Sequence, residues 1–128
     1  MFVETTGATI LVVDDDEDSR VLCERELRRG GYGTHSASSG AEALRFIKEN
    51  RKVDLIVLDV RMPTMSGIEV LKRLRERNVK IPIILYSDYS AYRNNFLSWL
   101  ADAYLIKSSD LRELKRKIRE LLGLSEST

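Results

Sequence analysis

Short apolar runs alternate with amphipathic stretches along the chain. Ile10-Leu11-Val12-Val13, Val53-Asp54-Leu55-Ile56-Val57-Leu58 and Ile81-Pro82-Ile83-Ile84-Leu85-Tyr86 are rich in aliphatic and β-branched side chains and end in polar residues. Near-continuous apolar runs of this length predict strands covered on both faces, as in a parallel sheet. Thr34-His35-Ser36-Ala37, after the glycine cluster Gly30-Gly31-Tyr32-Gly33, and Ala103-Tyr104-Leu105-Ile106 fit the same rhythm as weaker strands. Between the runs, apolar residues recur at helical spacing over Arg20–Arg29, Ala41–Glu49, Ser66–Arg77 and Leu111–Leu122. Tyr92, Phe96 and Trp99 share that spacing, which predicts one core-facing stripe before the last strand.

Helix ends are marked by local chemistry. Ser39 with Glu42, and Ser66 with Glu69, have the spacing of a capping box, while Gly30 and Gly123 suit carboxyl-terminal stops. Five β/α units predict a doubly wound α/β fold with helices on both faces, because parallel strands need right-handed helical crossovers. The expected strand order is 2-1-3-4-5, flavodoxin-like, and ligands of such sheets bind outside the carboxyl ends of the strands.

Composition narrows the function. The chain has 128 residues, 21 basic and 20 acidic, with a formal charge of +1. One domain is expected at this length, and the balanced charge argues against a surface that clamps nucleic acid. No apolar run approaches the roughly 18 residues of a membrane span, and Met1–Thr9 lacks the basic-then-apolar pattern of a secretory leader, so a cytoplasmic protein is expected. The single cysteine, Cys23, excludes an internal disulfide framework and is expected to be a small buried apolar residue of the first helix.

The strand ends carry the candidate chemistry. The first strand runs into Asp14-Asp15-Asp16-Glu17-Asp18, the third ends in Asp59, the fourth in Ser87 and the fifth in Lys107. With the first and third strands adjacent, these groups converge. Crowded carboxylates repel one another, and a hard divalent cation such as Mg²⁺ relieves that repulsion through oxygen ligands. Glu17 and Asp18 also suit the first turn of a helix. An EF-hand fails on spacing, since Ser19 and Arg25 stand where the loop needs glycine and a bidentate glutamate. Asp14 and Asp16 form an Asp-x-Asp after a strand, which leaves a small Mg²⁺-dependent phosphatase-like enzyme as an alternative.

Taken together, Ile-Leu-Val-Val-Asp14-Asp15, Leu-Asp59-Val-Arg-Met-Pro63 with Ser66-Gly67, the strand-closing Ser87, and Tyr104-Leu-Ile-Lys107 resemble the receiver domains of two-component response regulators. The resemblance runs from about Ala8 to Leu122. It implies a receiver over residues 8–122, an extended or disordered tail over 1–7 and a short tail over 123–128. It implies that Asp59 is the phosphoacceptor, that Asp14, Asp15, Asp59 and the backbone carbonyl of Arg61 hold Mg²⁺, and that Lys107 pairs first with Asp59 and then with the phosphate. Ser87 would bond a phosphate oxygen and Tyr104 would turn inward as a switch. Pro63, with its fixed φ, and Gly67, through conformations other residues avoid, would shape the loop after the acceptor. The implied partners are a sensor histidine kinase or phosphotransfer protein and a downstream protein that reads the face around the fourth and fifth strands, with phosphorylation-dependent homodimers a further option. A signalling phosphoprotein is implied, not a turnover enzyme, in a stand-alone or excised receiver. A degenerate receiver that serves only as an interaction module is the remaining alternative.

Several positions depart from the family pattern. Ser108 replaces the usual proline after Lys107, and Ser108-Ser109-Asp110 can cap the last helix instead. Asp88 stands where a small residue is usual, and would hinder anionic phosphodonors or change phosphate lifetime if it points inward, but would be inert if it points outward. The stretch from Ser87 to Tyr104 is shorter than usual, with Tyr89 expected to be exposed beside the site. Arg61, two residues after the acceptor, can pair with Asp16 across the pocket mouth. The last helix has a basic polar face, which reads as a solvated outer face.

Overall fold

The computed structural model describes residues 5–49, 52–88 and 96–124. Five parallel strands, β1 (Thr9–Val13), β2 (Gly33–Ala37), β3 (Leu55–Leu58), β4 (Ile83–Ser87) and β5 (Ala103–Ile106), form one sheet in the order β2-β1-β3-β4-β5. This is the expected order. The runs that predict β1, β3 and β4 are buried along nearly their whole length, because helices cover both faces.

Alternation along the strands divides the core in two. Leu11, Val13, Ile56, Leu58, Ile83 and Leu85 face α2 (Gly40–Lys48) and α3 (Gly67–Glu76). Ile10, Val12, Leu55, Val57, Ile84 and Tyr86 face the opposite way, onto α1 (Glu17–Arg29) and α4 (Arg112–Leu121). Period-two side-chain direction leaves no other arrangement once both faces are dry. Cys23 packs in the second layer as a buried residue of α1, as expected.

The caps follow the sequence signals with small changes of partner. Ser39 Oγ accepts from the Glu42 amide, but Glu42 turns its carboxylate to Ser38. Ser66 Oγ accepts from the Glu69 amide, and Glu69 pairs with Arg73 one turn on. After α1 the left-handed residue is Gly31, at φ 93°, one position beyond Gly30; Gly123, at φ 69°, plays that part after α4. At the amino end, the Thr6 amide donates to the Gly31 carbonyl at 2.9 Å, so this part of the expected tail is tied down.

The crossover from β4 to β5 departs from expectation. Its described part is a 3₁₀ turn, Phe96–Leu100, and Trp99 within it is 79% exposed. A core-facing stripe through Trp99 is therefore incorrect. With three residues per turn instead of 3.6, the inward face passes to half-buried Leu97 and buried Ser98. Tyr89 and Tyr92 lie outside the described residues.

Arg75, near the end of α3, holds this crossover to the sheet. Its guanidinium donates to the carbonyls of Val79 (2.8 Å), Ile81 (2.9 Å) and Leu100 (3.0 Å) and to Asp102 Oδ2 (3.0 Å). Asp102 in turn accepts from the Ile83 amide at 2.8 Å, at the start of β4. Planar, multidentate donation of this kind is beyond a lysine. Arg75→Ala is expected to cost about 2–3 kcal/mol in urea unfolding, and Arg75→Lys to recover little of it. Asp102→Ala added to Arg75→Ala should cost less than the two single losses together, because both remove one network.

Candidate functional site

Each residue that carries the candidate chemistry is placed by the sheet. The Asp14 amide donates to the Ala37 carbonyl at 3.1 Å, the Asp59 amide to Val13 at 2.9 Å and the Lys107 amide to Ser87 at 2.7 Å. The parallel ladder thus continues one residue past β1, β3 and β5. Ser87, the last residue of β4, is fully buried. Three strand tips thereby deliver two carboxylates and one ammonium to a single point.

Asp14 and Asp59 are buried there and Asp15 is exposed. One oxygen from each of the three carboxylates lies within 4.8 Å of the others. Lys107 Nζ is 2.8 Å from Asp14 Oδ2 and 3.6 Å from Asp59 Oδ2. The expected first partner of Lys107 was Asp59. Its closer bond goes instead to Asp14, which is set for ionisation: Asp14 Oδ1 also accepts from the Asp16 amide at 3.0 Å.

These contacts divide the two buried acids. Burial alone would raise the Asp14 carboxyl, but the bond from Lys107, helped by the Asp16 amide and the Ser19 hydroxyl, holds it below the usual carboxylate range. For Asp59, burial dominates; Lys107 opposes it, Asp14 adds to it, and the group is pushed up to about 7. Burial pulls the Lys107 ammonium down, yet Asp14, Asp59 and Asp88 together raise it, so it stays charged. Beneath the site, burial followed by the charge of Asp14 pushes the Cys23 thiol up to about 12, which leaves it an inert packing group.

The three carboxylates open onto a pocket of about 400 Å³ that is also lined by Asp16, Ser19, Arg61, Asp88 and Lys107. Asp16 serves as the amino-terminal cap of α1: its Oδ2 accepts from the Ser19 amide at 3.0 Å. Ser19 was not legible as a site residue. Its place follows from that cap, which folds the first turn of α1 back over the acids. Arg20 closes the same turn by donating to the Asp14 carbonyl at 2.8 Å. Asp88 is exposed at the pocket mouth.

The loop after Asp59 is shaped by close approach and by strain. The Gly67 amide donates to the Val60 carbonyl at 2.8 Å, and a Cβ on Gly67 would collide with the Asp59 carbonyl. Gly67 has no left-handed backbone, so the expectation that it supplies unusual dihedrals is corrected: what matters is its missing side chain. The left-handed residue is Thr64, at φ 70°, directly after Pro63. A β-branched residue there is strained. Beside this loop a second hollow of about 610 Å³ shares Asp15 and Arg61 with the first and reaches Met62, Pro63 and Ser66.

On the far side, Tyr104 is half-buried against the α2/α3 layer. After Lys107, Asp110 accepts from the Arg112 amide at 3.0 Å, a turn just ahead of α4, but the cap position itself is Leu111, which makes no side-chain capping bond, so the expected cap from Ser108-Ser109-Asp110 is not formed. All these features fall within one match: residues 10–119 match the family of response regulator receiver domains. The chain is a response regulator receiver domain.

Relatives extend the comparison. The receiver is 40% identical over 125 residues to the transcriptional regulatory protein PrrA of Mycobacterium tuberculosis, covering 96% of this chain and 53% of PrrA. The chain spans about half the length of the curated relatives it matches. Among solved structures it is similar to response regulator TrrA of Thermotoga maritima in complex with Mg²⁺ and BeF, with a TM-score of 0.85 and 41% identity, over 89% of this chain and 98% of that one. It is also similar to a chain in the complex of histidine kinase ThkA with TrrA, with a TM-score of 0.83 and 42% identity, over 90% and 98% of the two chains. Among the described residues no helix is long and apolar enough to cross a membrane.

The donor set of the receiver fits Mg²⁺. Three hard carboxylate oxygens lie close together on a pocket open to water, and small hard cations keep several waters. Two outcomes are expected of the metal-free protein. Asp59 holds its proton in the fold up to about pH 7 but loses it near 3.8 when unfolded. Its contribution is therefore complete below that lower value and lost as pH rises through 7. In chelator, urea unfolding should show stability falling by on the order of 2–4 kcal/mol between pH 5 and 8, and Asp59→Asn should remove that step. The opposite contribution of Asp14 is lost only below its unfolded value, outside this window. Gly67→Ala should cost about 2–3 kcal/mol, measured the same way, because the new methyl meets backbone.

Proposed function

We propose that this receiver takes a phosphoryl group onto Asp59 from a sensor histidine kinase or phosphotransfer protein and passes the signal on by a change of surface. The observation that carries the reading is the placement of Lys107 between Asp14 and Asp59, with Asp15 at the open side of the same pocket. The solved TrrA structures support it, one with Mg²⁺ and BeF and one with a histidine kinase.

In the transfer, an Asp59 carboxylate oxygen forms the new P–O bond while the P–N bond to the donor imidazole breaks. The electron pair of the broken bond returns to the ring nitrogen, which takes a proton from solvent. Asp59 attacks as its anion, so the burial that raises its pKa must be offset when the donor is bound. Asp14, Asp15, Asp59 and the backbone carbonyl of Arg61 would hold Mg²⁺, which would supply positive charge for the phosphoryl oxygens. Lys107 supplies the second cation, by turning from Asp14 toward the phosphoryl group. Gly67 lets the start of α3 lie against the Asp59 carbonyl, and Pro63 fixes its own φ in the loop beside the adjoining hollow.

Ser87 reads the new phosphoryl group by donating its hydroxyl to one of the oxygens. Its backbone is bonded to Lys107, so the tips of β4 and β5 respond together. Tyr104, in β5 opposite Leu85, then turns into the space that Ser87 vacates, which alters the face around β4 and β5 that a downstream protein or a second copy of the chain would contact. This is a switch read by partners in the cytoplasm and not a turnover enzyme.

Incubation with Mg²⁺ and phosphoramidate, followed by intact mass, should show one labile phosphoryl adduct that is absent in Asp59→Asn. Lys107→Ala should slow adduct formation about 10²-fold. Steady multiple turnover of phosphomonoesters would instead favour the phosphatase reading, and an intact fold with no adduct would favour an interaction module.

A further inference from the structure

One carboxylate at the pocket mouth enters the chemistry described above only through its charge on Lys107. Asp88 follows Ser87 directly, is exposed, and lines the same hollow as Asp59 and Lys107. It stands apart from the three acids whose oxygens come together, Asp14, Asp15 and Asp59. With Asp16, it brings the carboxylates of the lining to five, against the two cations Arg61 and Lys107. A single divalent cation leaves the fully ionised lining with one net negative charge. Outside the clustered acids stand Asp16, whose Oδ2 is bonded to the Ser19 amide at the start of α1, and Asp88, which adds its charge to that excess from the exposed rim of the pocket.

A phosphodonor is itself an anion, so a negative mouth slows its approach in proportion to its charge. A protein donor can offset this repulsion through contacts outside the pocket, which a free molecule cannot make. We propose that Asp88 is a specificity-determining residue, which rejects small, multiply charged phosphodonors and reserves Asp59 for a phosphohistidine presented by a docked protein. The proposal rests on Asp59 as the phosphoacceptor.

Two small donors of unlike charge separate electrostatics from sterics. Acetyl phosphate is a dianion at neutral pH; its P–O bond breaks and the electron pair leaves with acetate. Phosphoramidate is a monoanion with a protonated nitrogen; its P–N bond breaks and the pair leaves on ammonia. Rates of adduct formation are compared for the wild type, Asp88→Asn and Asp88→Glu at saturating Mg²⁺, by intact mass. Asp88→Asn should speed the acetyl phosphate reaction about 3–10-fold and the phosphoramidate reaction distinctly less, with the difference shrinking at high salt. Asp88→Glu should keep the wild-type ratio. In a separate amide-shift titration with Mg²⁺ alone, Asp88→Asn should weaken metal affinity about 2–5-fold at low salt, since the same charge attracts the cation.

Equal acceleration of both donors by Asp88→Asn, or no change in either rate or in Mg²⁺ affinity, would overturn the proposal. A wild-type protein that forms no Asp59 adduct even with phosphoramidate would overturn the underlying phosphoacceptor reading, a separate result from an adduct that forms without regard to Asp88.

Discussion

The ion pair between Lys107 and Asp14 is the interaction on which the rest of the site depends. Two buried carboxylates at neighbouring strand tips repel each other, and a low local dielectric magnifies the repulsion. A fully exposed lysine would not resolve this. Lys107 does so because the β4–β5 ladder carries its backbone to the sheet's end, where its ammonium reaches both acids from within the protein. The outcome is unequal: Asp14 is the settled anion, while Asp59 remains poised between two protonation states. A carboxylate that is neither locked to a cation nor permanently neutral is suited to change partners.

Packing supports this arrangement from below. The strands that end in the site are dry on both faces, and their alternation commits Val13 and Leu58 to one layer, Val12 and Val57 to the other. A slip of one residue would reverse every one of these commitments, which fixes Asp14 and Asp59 in depth as well as direction. The amino end of α3 adds a second constraint by pressing its backbone against that of Asp59 through Gly67. Thr64, exposed on the same loop ahead of α3, holds a left-handed backbone of its own.

Much of this was legible in the sequence, for identifiable reasons. Runs such as Ile10–Val13 leave only one secondary structure that buries them fully, and charged residues directly after them mark strand tips. The placement of Asp14, Asp59, Ser87 and Lys107 followed from those two facts and from strand order. Other features depend on geometry finer than residue type. Spacing at Phe96 and Trp99 is compatible with either 3.6 or three residues per turn, and only the turn actually adopted decides that Trp99 faces water. The preference of Lys107 for Asp14 over Asp59 turns on a difference of less than an ångström and on which carboxylate accepts amide bonds. Gly67 was singled out correctly, but a sequence does not distinguish a glycine needed for its dihedrals from one needed for its missing methyl.

Trp99 is the chain's single tryptophan, and its indole stands in water on the turn that leads into β5. Its emission therefore comes from one environment, unmixed with that of any second indole. The buried core contributes nothing to that signal, and the turn that carries Trp99 is held to α3 through the Arg75 bond to the Leu100 carbonyl. The protein thus contains its own optical label, at the entrance to the strand that bears both Tyr104 and the path to Lys107.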